Sequence, residues 1–239
     1  MIELGQVPAS QHEMWHVLFE LDEQYTTGWT LIGAQMVALH AAEHSRTPPR
    51  SSEDADVLVD ARILKPKPHH IARALLDRGF DPEITSAQIA HRFVCGRVSI
   101  DVLAPDGLDD ASKALRTVPP NVTVQVPGGS QALQRTERKQ VRVGTTEGFV
   151  PRPNLLGAIL VKARAVTVDE RPDAQRLDLA FLCSLVEDPR TLRAEMTSKE
   201  SSWLRARAEM ADGTAAVWVR LGPDADNAYR AFQILMRDG

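Results

Sequence analysis

Cysteine is nearly absent. Cys95 and Cys183 are the only two, far apart in the chain, without CxxC spacing and each in an apolar stretch. Two such residues make neither a disulfide framework nor a zinc site, and buried reduced thiols are the expected state of both. Long apolar runs are also missing: no window approaches the roughly 18 apolar residues that a membrane span requires. The segment MIELGQVPASQHEMW has no basic region followed by an apolar stretch, so no signal peptide and a cytoplasmic location are expected. Charge of one sign does not dominate either. The formal net charge is -4, which gives no global pull toward nucleic acid or an anionic surface, so any such contact needs a local basic patch.

Hydrophobic residues make up 43% and charged residues 25% of 239 residues, which suits a globular protein with a substantial core. Ser10 to Glu13 has capping-box spacing before an apolar run, and a helix is expected over about 10–24. Trp29 to Ile32 reads as a short buried strand, Gly33 as its end, and Ala34 to His44 as a helix. A polar loop over 45–53 leads to a β-branched strand, Asp54 to Asp60. A helix over 69–78, stopped by Gly79, and a hairpin around Gly96 (His91 to Cys95, Arg97 to Leu103) follow. Further expectations are a short helix over 109–116, a strand over 122–126, and strands over 131–135 and 140–143. Beyond Pro151 the pattern turns helical, over 155–166, 174–186, 189–210 and 224–237, the last capped near Asp224 or Asp226. A mixed strand–helix domain over 1–150 and a helical domain over 151–239 are therefore expected.

The chemistry resides in Asp54-Ala-Asp56. Side chains alternate along a strand, so both carboxylates point into one space. On the hairpin strand, Val98, Ile100 and Val102 form one face, and Ser99 and Asp101 the other. If the two strands are neighbours, three carboxylates converge, and they repel one another unless a cation sits among them. Oxygen donors at this density suit Mg²⁺ or Mn²⁺ shared with phosphate oxygens. The strand–Gly33–helix junction offers free N–H groups and the positive end of a helix, a natural phosphate seat. Asp-x-Asp alone is weak, since Asp224-Ala-Asp226 repeats it where capping suffices.

The stretches Leu31 to His40, Arg50-Ser-Ser-Glu-Asp-Ala-Asp56 and Ile100-Asp-Val102 together resemble the nucleotidyltransferase superfamily, and within it the AbiEii (abortive-infection, type IV toxin) family, over about residues 29–182. That resemblance implies an α+β nucleotidyltransferase (polymerase-beta-like) fold, a mixed sheet with flanking helices followed by a C-terminal helical bundle. It implies transfer of a nucleoside monophosphate from an NTP to an acceptor, RNA such as tRNA being favoured, by a toxin paired with a cognate antitoxin. Asp54, Asp56 and Asp101 would bind Mg²⁺ or Mn²⁺. Gly33, Ala34, Arg50, Ser52 and Lys162 would seat the nucleotide, and Asp178 would join the catalytic set. Ala34 stands where the family has Ser or Gly, and Ser52 where it has Thr. A weakly active or inactive binding protein of the same fold and a small-molecule, antibiotic-type transferase are the alternatives.

Plainer readings stand beside these. Asp54 and Asp56 could be solvated acids at a strand's start, and Asp101 an acid on an exposed edge. Lys162 could snorkel at a helix surface, and Asp178 could pair with Arg176 or a neighbouring helix. His69-His70 read as a polar helix start and His40 as a packed residue. The basic run Arg135, Arg138, Lys139, Arg142 could track an RNA backbone, and its plainer reading is a solvated face balanced by Glu137. Arg62, Lys65, Lys67, Arg73 and Arg78 form a second basic stretch near the proposed site, and nothing aromatic interleaves either run, so no base-stacking platform is evident.

Overall fold

The computed structural model describes residues 1–109, 113–168 and 172–237. Strand β1 (Ile2–Glu3) precedes helix α1 (Ala9–Gln24). Strand β2 (Trp29–Ile32) runs straight into α2 (Gly33–Glu43), and β3 (Asp54–Val59) follows the polar loop. Next come α3 (Pro68–Leu76), β4 (Asp81–Glu83), β5 (Arg92–Cys95), β6 (Val98–Pro105), β7 (Gln125–Val126), α4 (Gly129–Gln134), β8 (Thr136–Val143) and β9 (Thr146–Pro153). The rest is helical: α5 (Leu155–Ala165), α6 (Pro172–Ser184), α7 (Pro189–Ala194), α8 (Ser198–Arg205), α9 (Ala216–Leu221) and α10 (Ala225–Leu235). This is the α+β arrangement expected, a mixed sheet with flanking helices and C-terminal helices.

The larger sheet runs β2-β3-β6-β5-β4, with β7 on the far end of β6. Its central pair, β3 and β6, is parallel, and the outer pairs of the path are antiparallel. A smaller sheet, β1-β8-β9, lies beside it.

Alternation along β3 and β6 splits the molecule into two layers. Ala55, Val57 and Val59 with Val98, Ile100 and Val102 pack against Trp15, Leu18 and Ile71 from α1 and α3. Leu58 and Leu103 on the opposite face join Met36 and Val37 of α2 and the apolar faces of α5, α6 and α10. Asp54 and Asp56 share a face with Leu58, and Asp101 with Leu103, so the acids are turned toward the helices. The core that holds Leu58 draws on residues before and after position 150, and β9 crosses that position.

Several local expectations are corrected. Helix α1 begins at Ala9 with Pro8 at its cap and no side-chain cap bond, so Ser10 and Glu13 lie inside the helix and form no capping box. Residues 131–134 lie in α4, with Arg135 as its C-terminal cap, and not in a strand. The Asp106 carboxylate accepts from Gly128 N (2.9 Å), Ser130 N (3.1 Å) and Ser130 Oγ (2.8 Å), which organises a helix start there. Burial opposes its charge, but these donors hold its carboxyl below the usual carboxylate range. The single helix expected over 189–210 is broken. Thr197 N donates to Glu200 Oε2 (2.8 Å) and Glu200 N to Thr197 Oγ1 (3.2 Å), a capping box that starts α8 afresh. Only 125–126 of the strand over 122–126 forms. Strands β1, β4 and β9 and helix α9 are additions to the expected elements. The helix over 109–116 is a single turn at Lys113–Leu115, and residues 110–112 lie outside those described. Helix α10 has no side-chain cap; Asp224 pairs instead with Arg46.

Candidate active site

The geometry of the site follows from register. Asp56 is paired across β2 with Ile32 and across β6 with Asp101, while Asp54 stands opposite Ser99. Asp56 and Asp101 therefore sit side by side on one face, and Asp54 joins them two residues up β3. Gly33 closes the other side. It has φ +72, and a Cβ there would lie 1.7 Å from Asp56 Oδ2. Only glycine lets the strand–helix turn lie flat against that carboxylate.

Gly33, Asp56, Asp101 and Lys162 line one cleft of about 340 Å³, with His91, Gln125 and Gln175 as further polar walls and Leu103, Val124 and Val161 among the apolar ones. That volume falls in the small-ligand range of about 300–1,000 Å³. Burial, then the neighbouring Asp101 charge, pushes the Asp56 carboxyl up from 3.8 to about 6; Lys162 and Arg92 pull it back in part. A carboxylate so uncompensated fits a site that takes a cation. Among the described residues, no three His, Cys, Asp or Glu side chains already stand close enough together to hold a metal ion. What stands between two of the acids is Arg92, whose Nε and Nη2 donate to Asp101 Oδ1 (2.8 Å) and Oδ2 (2.9 Å) and whose Nη2 is 3.8 Å from Asp54 Oδ2.

Lys162 does not snorkel. It is buried, and Nζ donates to Asp178 Oδ2 (2.8 Å) and Gln175 Oε1 (2.9 Å). Asp178, fully buried, also accepts from Arg50 Nε (3.0 Å) and Nη2 (2.7 Å). It does not pair with Arg176, which bonds Asp173 and Glu209. Arg50, Ser52, Ala34, Asp178 and, of the three acids, Asp54 do not line the cleft. The Ser52 carbonyl accepts from Gln11 (2.8 Å) and Gln35 (2.7 Å), and its hydroxyl lies 3.4 Å from Asp54 N, so Ser52 braces the entry to β3. Ala34 is buried on α2.

Asp178→Ala is expected to lower stability by about 3–5 kcal/mol, the scale of stranding a buried charge, since Lys162 loses its carboxylate. The double change Lys162→Met with Asp178→Leu should recover most of the loss. Urea unfolding of both variants checks this; a double variant at least as unstable as the single one would contradict it.

Arg92, His91, Gln125 and Gln175 were missed. For Arg92 a signal existed: a hairpin turning at Gly96 pairs Cys95 with Val98 and so Arg92 with Asp101. The other three come to the cleft through tertiary packing, which the sequence pattern does not encode.

Among the described residues, most of the basic side chains in the two runs are paired with acids, Lys65 and Lys67 excepted. Arg135 pairs with Glu200, Arg138 with Asp22, Lys139 with Glu43 and Glu137, and Arg142 with Glu3 and Glu147. Arg62, Arg73 and Arg78 pair with Asp60, Asp77 and Glu20. His70 Nδ1 accepts from Lys67 N (2.9 Å) at the start of α3, and His40 is packed against the Pro153 carbonyl. No described helix is long and apolar enough to cross a membrane.

One solved structure shares this fold across nearly the whole chain. It is the crystal structure of an antigenic nucleotidyltransferase-like protein from Paracoccidioides brasiliensis, matched with a TM-score of 0.53 over 95% of this chain and 94% of that one, at 12% identity. The chain has a nucleotidyltransferase-like fold. No protein-family model and no curated protein matches it. In the nucleotidyltransferase-like fold seen here, the acids occupy the sheet face turned toward the C-terminal helices, and the Gly33 turn stands at their edge.

Proposed function

We propose that this chain is a metal-dependent nucleotidyltransferase that moves a nucleoside monophosphate from an NTP to an acceptor. The observation that carries this is the packing of the Gly33 turn directly on Asp56 with Asp101 in register beside it. Asp54, Asp56 and Asp101 would hold Mg²⁺ or Mn²⁺, which when bound neutralises phosphate charge and makes the acceptor hydroxyl more acidic. Gly33 and the start of α2 would face the triphosphate, and Lys162 would set a point cation in the cleft. Asp101 would take the acceptor proton as the acceptor oxygen bonds the α-phosphorus and pyrophosphate leaves. Each Asp101 oxygen keeps a lone pair beyond its bond to Arg92, so that role stays open. RNA such as tRNA is the acceptor we favour, and a toxin with a cognate antitoxin the setting; both rest on the AbiEii resemblance. A small-molecule acceptor is the other class.

A second reading, a nucleotide-binding protein without turnover, is favoured by Ala34 and by the hold of Arg92 on both Asp101 oxygens. Incubation with each labelled NTP, Mg²⁺ or Mn²⁺ and total tRNA, beside Asp56→Asn, separates the two. Label in tRNA with the native protein alone supports the transferase. Metal-dependent NTP binding that the variant loses, without transfer to tRNA or to a panel of small acceptors, supports the binding protein. No NTP binding at all sinks both.

A further inference from the structure

The acidic face carries a cation of its own. Arg92 lies opposite Asp101 in the β5–β6 register, and its planar fork meets that carboxylate with two bonds of 2.8 and 2.9 Å while its Nη2 reaches within 3.8 Å of Asp54. A bidentate guanidinium–carboxylate pair is among the stronger side-chain contacts. It takes up lone pairs on Asp101 and places positive charge where the acids would receive a divalent ion. The guanidinium is not locked in, because the Arg92 side chain is 36% exposed. On its other flank stands Glu83, the register partner of Arg92 on β4 and an exposed acid. Two carboxylates on the same face thus flank one arginine, one inside the site and one outside it.

Resting on the reading of the three acids as a cation site, we infer that Arg92 is an internal counter-ion that the divalent cation must displace, and that Glu83 receives the guanidinium when it swings away from Asp101. The pair then sets how tightly the acids take a cation in the absence of nucleotide. Arg92 acts here through Asp101 and Asp54, as a positioning residue. A like charge beside a divalent ion opposes its binding, and removing that charge favours it. Removing Glu83 has the opposite sign, because Arg92 loses its outer partner and stays on Asp101.

The test is Mn²⁺ titration of the nucleotide-free protein, with free Mn²⁺ read by its paramagnetic resonance signal. Arg92→Met is expected to bind Mn²⁺ roughly tenfold or more tighter than the native protein. Arg92→Lys, which keeps the charge, should stay near native affinity. Glu83→Gln should bind more weakly, and Asp56→Asn should not bind. Equal or weaker binding by Arg92→Met overturns the inference, while native binding abolished by Asp56→Asn leaves the carboxylate site standing. If Arg92→Met fails to fold, Glu83→Gln decides: weaker binding supports the inference and unchanged binding overturns it. If neither the native protein nor Arg92→Met binds Mn²⁺ with or without NTP, the carboxylate site itself falls.

Discussion

Replacing Asp56 with asparagine is expected to raise the stability of the unliganded protein above pH 6 while abolishing nucleotide transfer. The Asp56 carboxyl titrates at about 6 in the fold against 3.8 when unperturbed. The folded chain therefore holds that proton more tightly than the unfolded one. At pH below 4 both states are protonated and the residue carries no penalty. Between 4 and 6 the unfolded state ionises first and the native protein loses stability; above 6 the penalty is complete, at most about 3 kcal/mol for such a shift. Asparagine never ionises, so the two proteins should melt together near pH 4 and diverge as pH rises. A gap of about 6–12 °C in Tm is the upper expectation for a chain of this size. Transfer should fall by at least about 10²–10³-fold, the scale of removing one electrostatic contributor. Thermal melts from pH 4 to 8, repeated with Mg²⁺, check both parts: the ion should stabilise the native protein and leave the variant unchanged. A variant less stable than the native protein at pH 8 would show that the Asp56 charge is compensated in the fold.

Gly33→Ala should remove metal-dependent NTP binding altogether. Its φ of +72 makes any side chain there cost about 1–2 kcal/mol. The larger effect is steric, since the new methyl would coincide with Asp56 Oδ2 and force the carboxylate off its position. Gly79→Ala separates the two effects. Its φ is +82, but a Cβ there meets nothing within 4 Å, so it should cost only the conformational 1–2 kcal/mol or so and keep NTP binding. Chemical denaturation and NTP binding of the two variants side by side form the comparison. Equal losses of stability with binding retained in both would mean that the Gly33–Asp56 contact does not shape the site.

Much of the sheet and its acidic face was legible because period-two patterning is local. Val57, Val59, Ile100 and Val102 point one way, which obliges Asp54, Asp56 and Asp101 to point the other. The Gly33 turn was legible for the same reason, as an apolar strand meeting a helix through a glycine. Elements organised by a distant side chain were not legible. Helix α4 owes its start to Asp106, more than twenty residues upstream, and nothing within 131–135 announces that. Thr197 and Glu200 did carry a readable signature, but the apolar periodicity running through 189–210 masked it. In the site, spacing exposed the acids but not how their charge is met. The hairpin at Gly96 did carry the Arg92–Asp101 pairing, but Lys162 reaches the acids through helix packing, and Asp178 meets Arg50 across 128 positions.

That last triad bears on how the molecule holds together as it unfolds. Asp178 has one partner in the loop before β3 and another on α5, and exposes none of its own surface. Peeling the helices from the strands would break the two bonds from Arg50 to Asp178 that tie the loop before β3 to α6. Partial opening is therefore penalised from its first step, which favours melting as one cooperative event and keeps the cleft walls in place until the whole fold gives way.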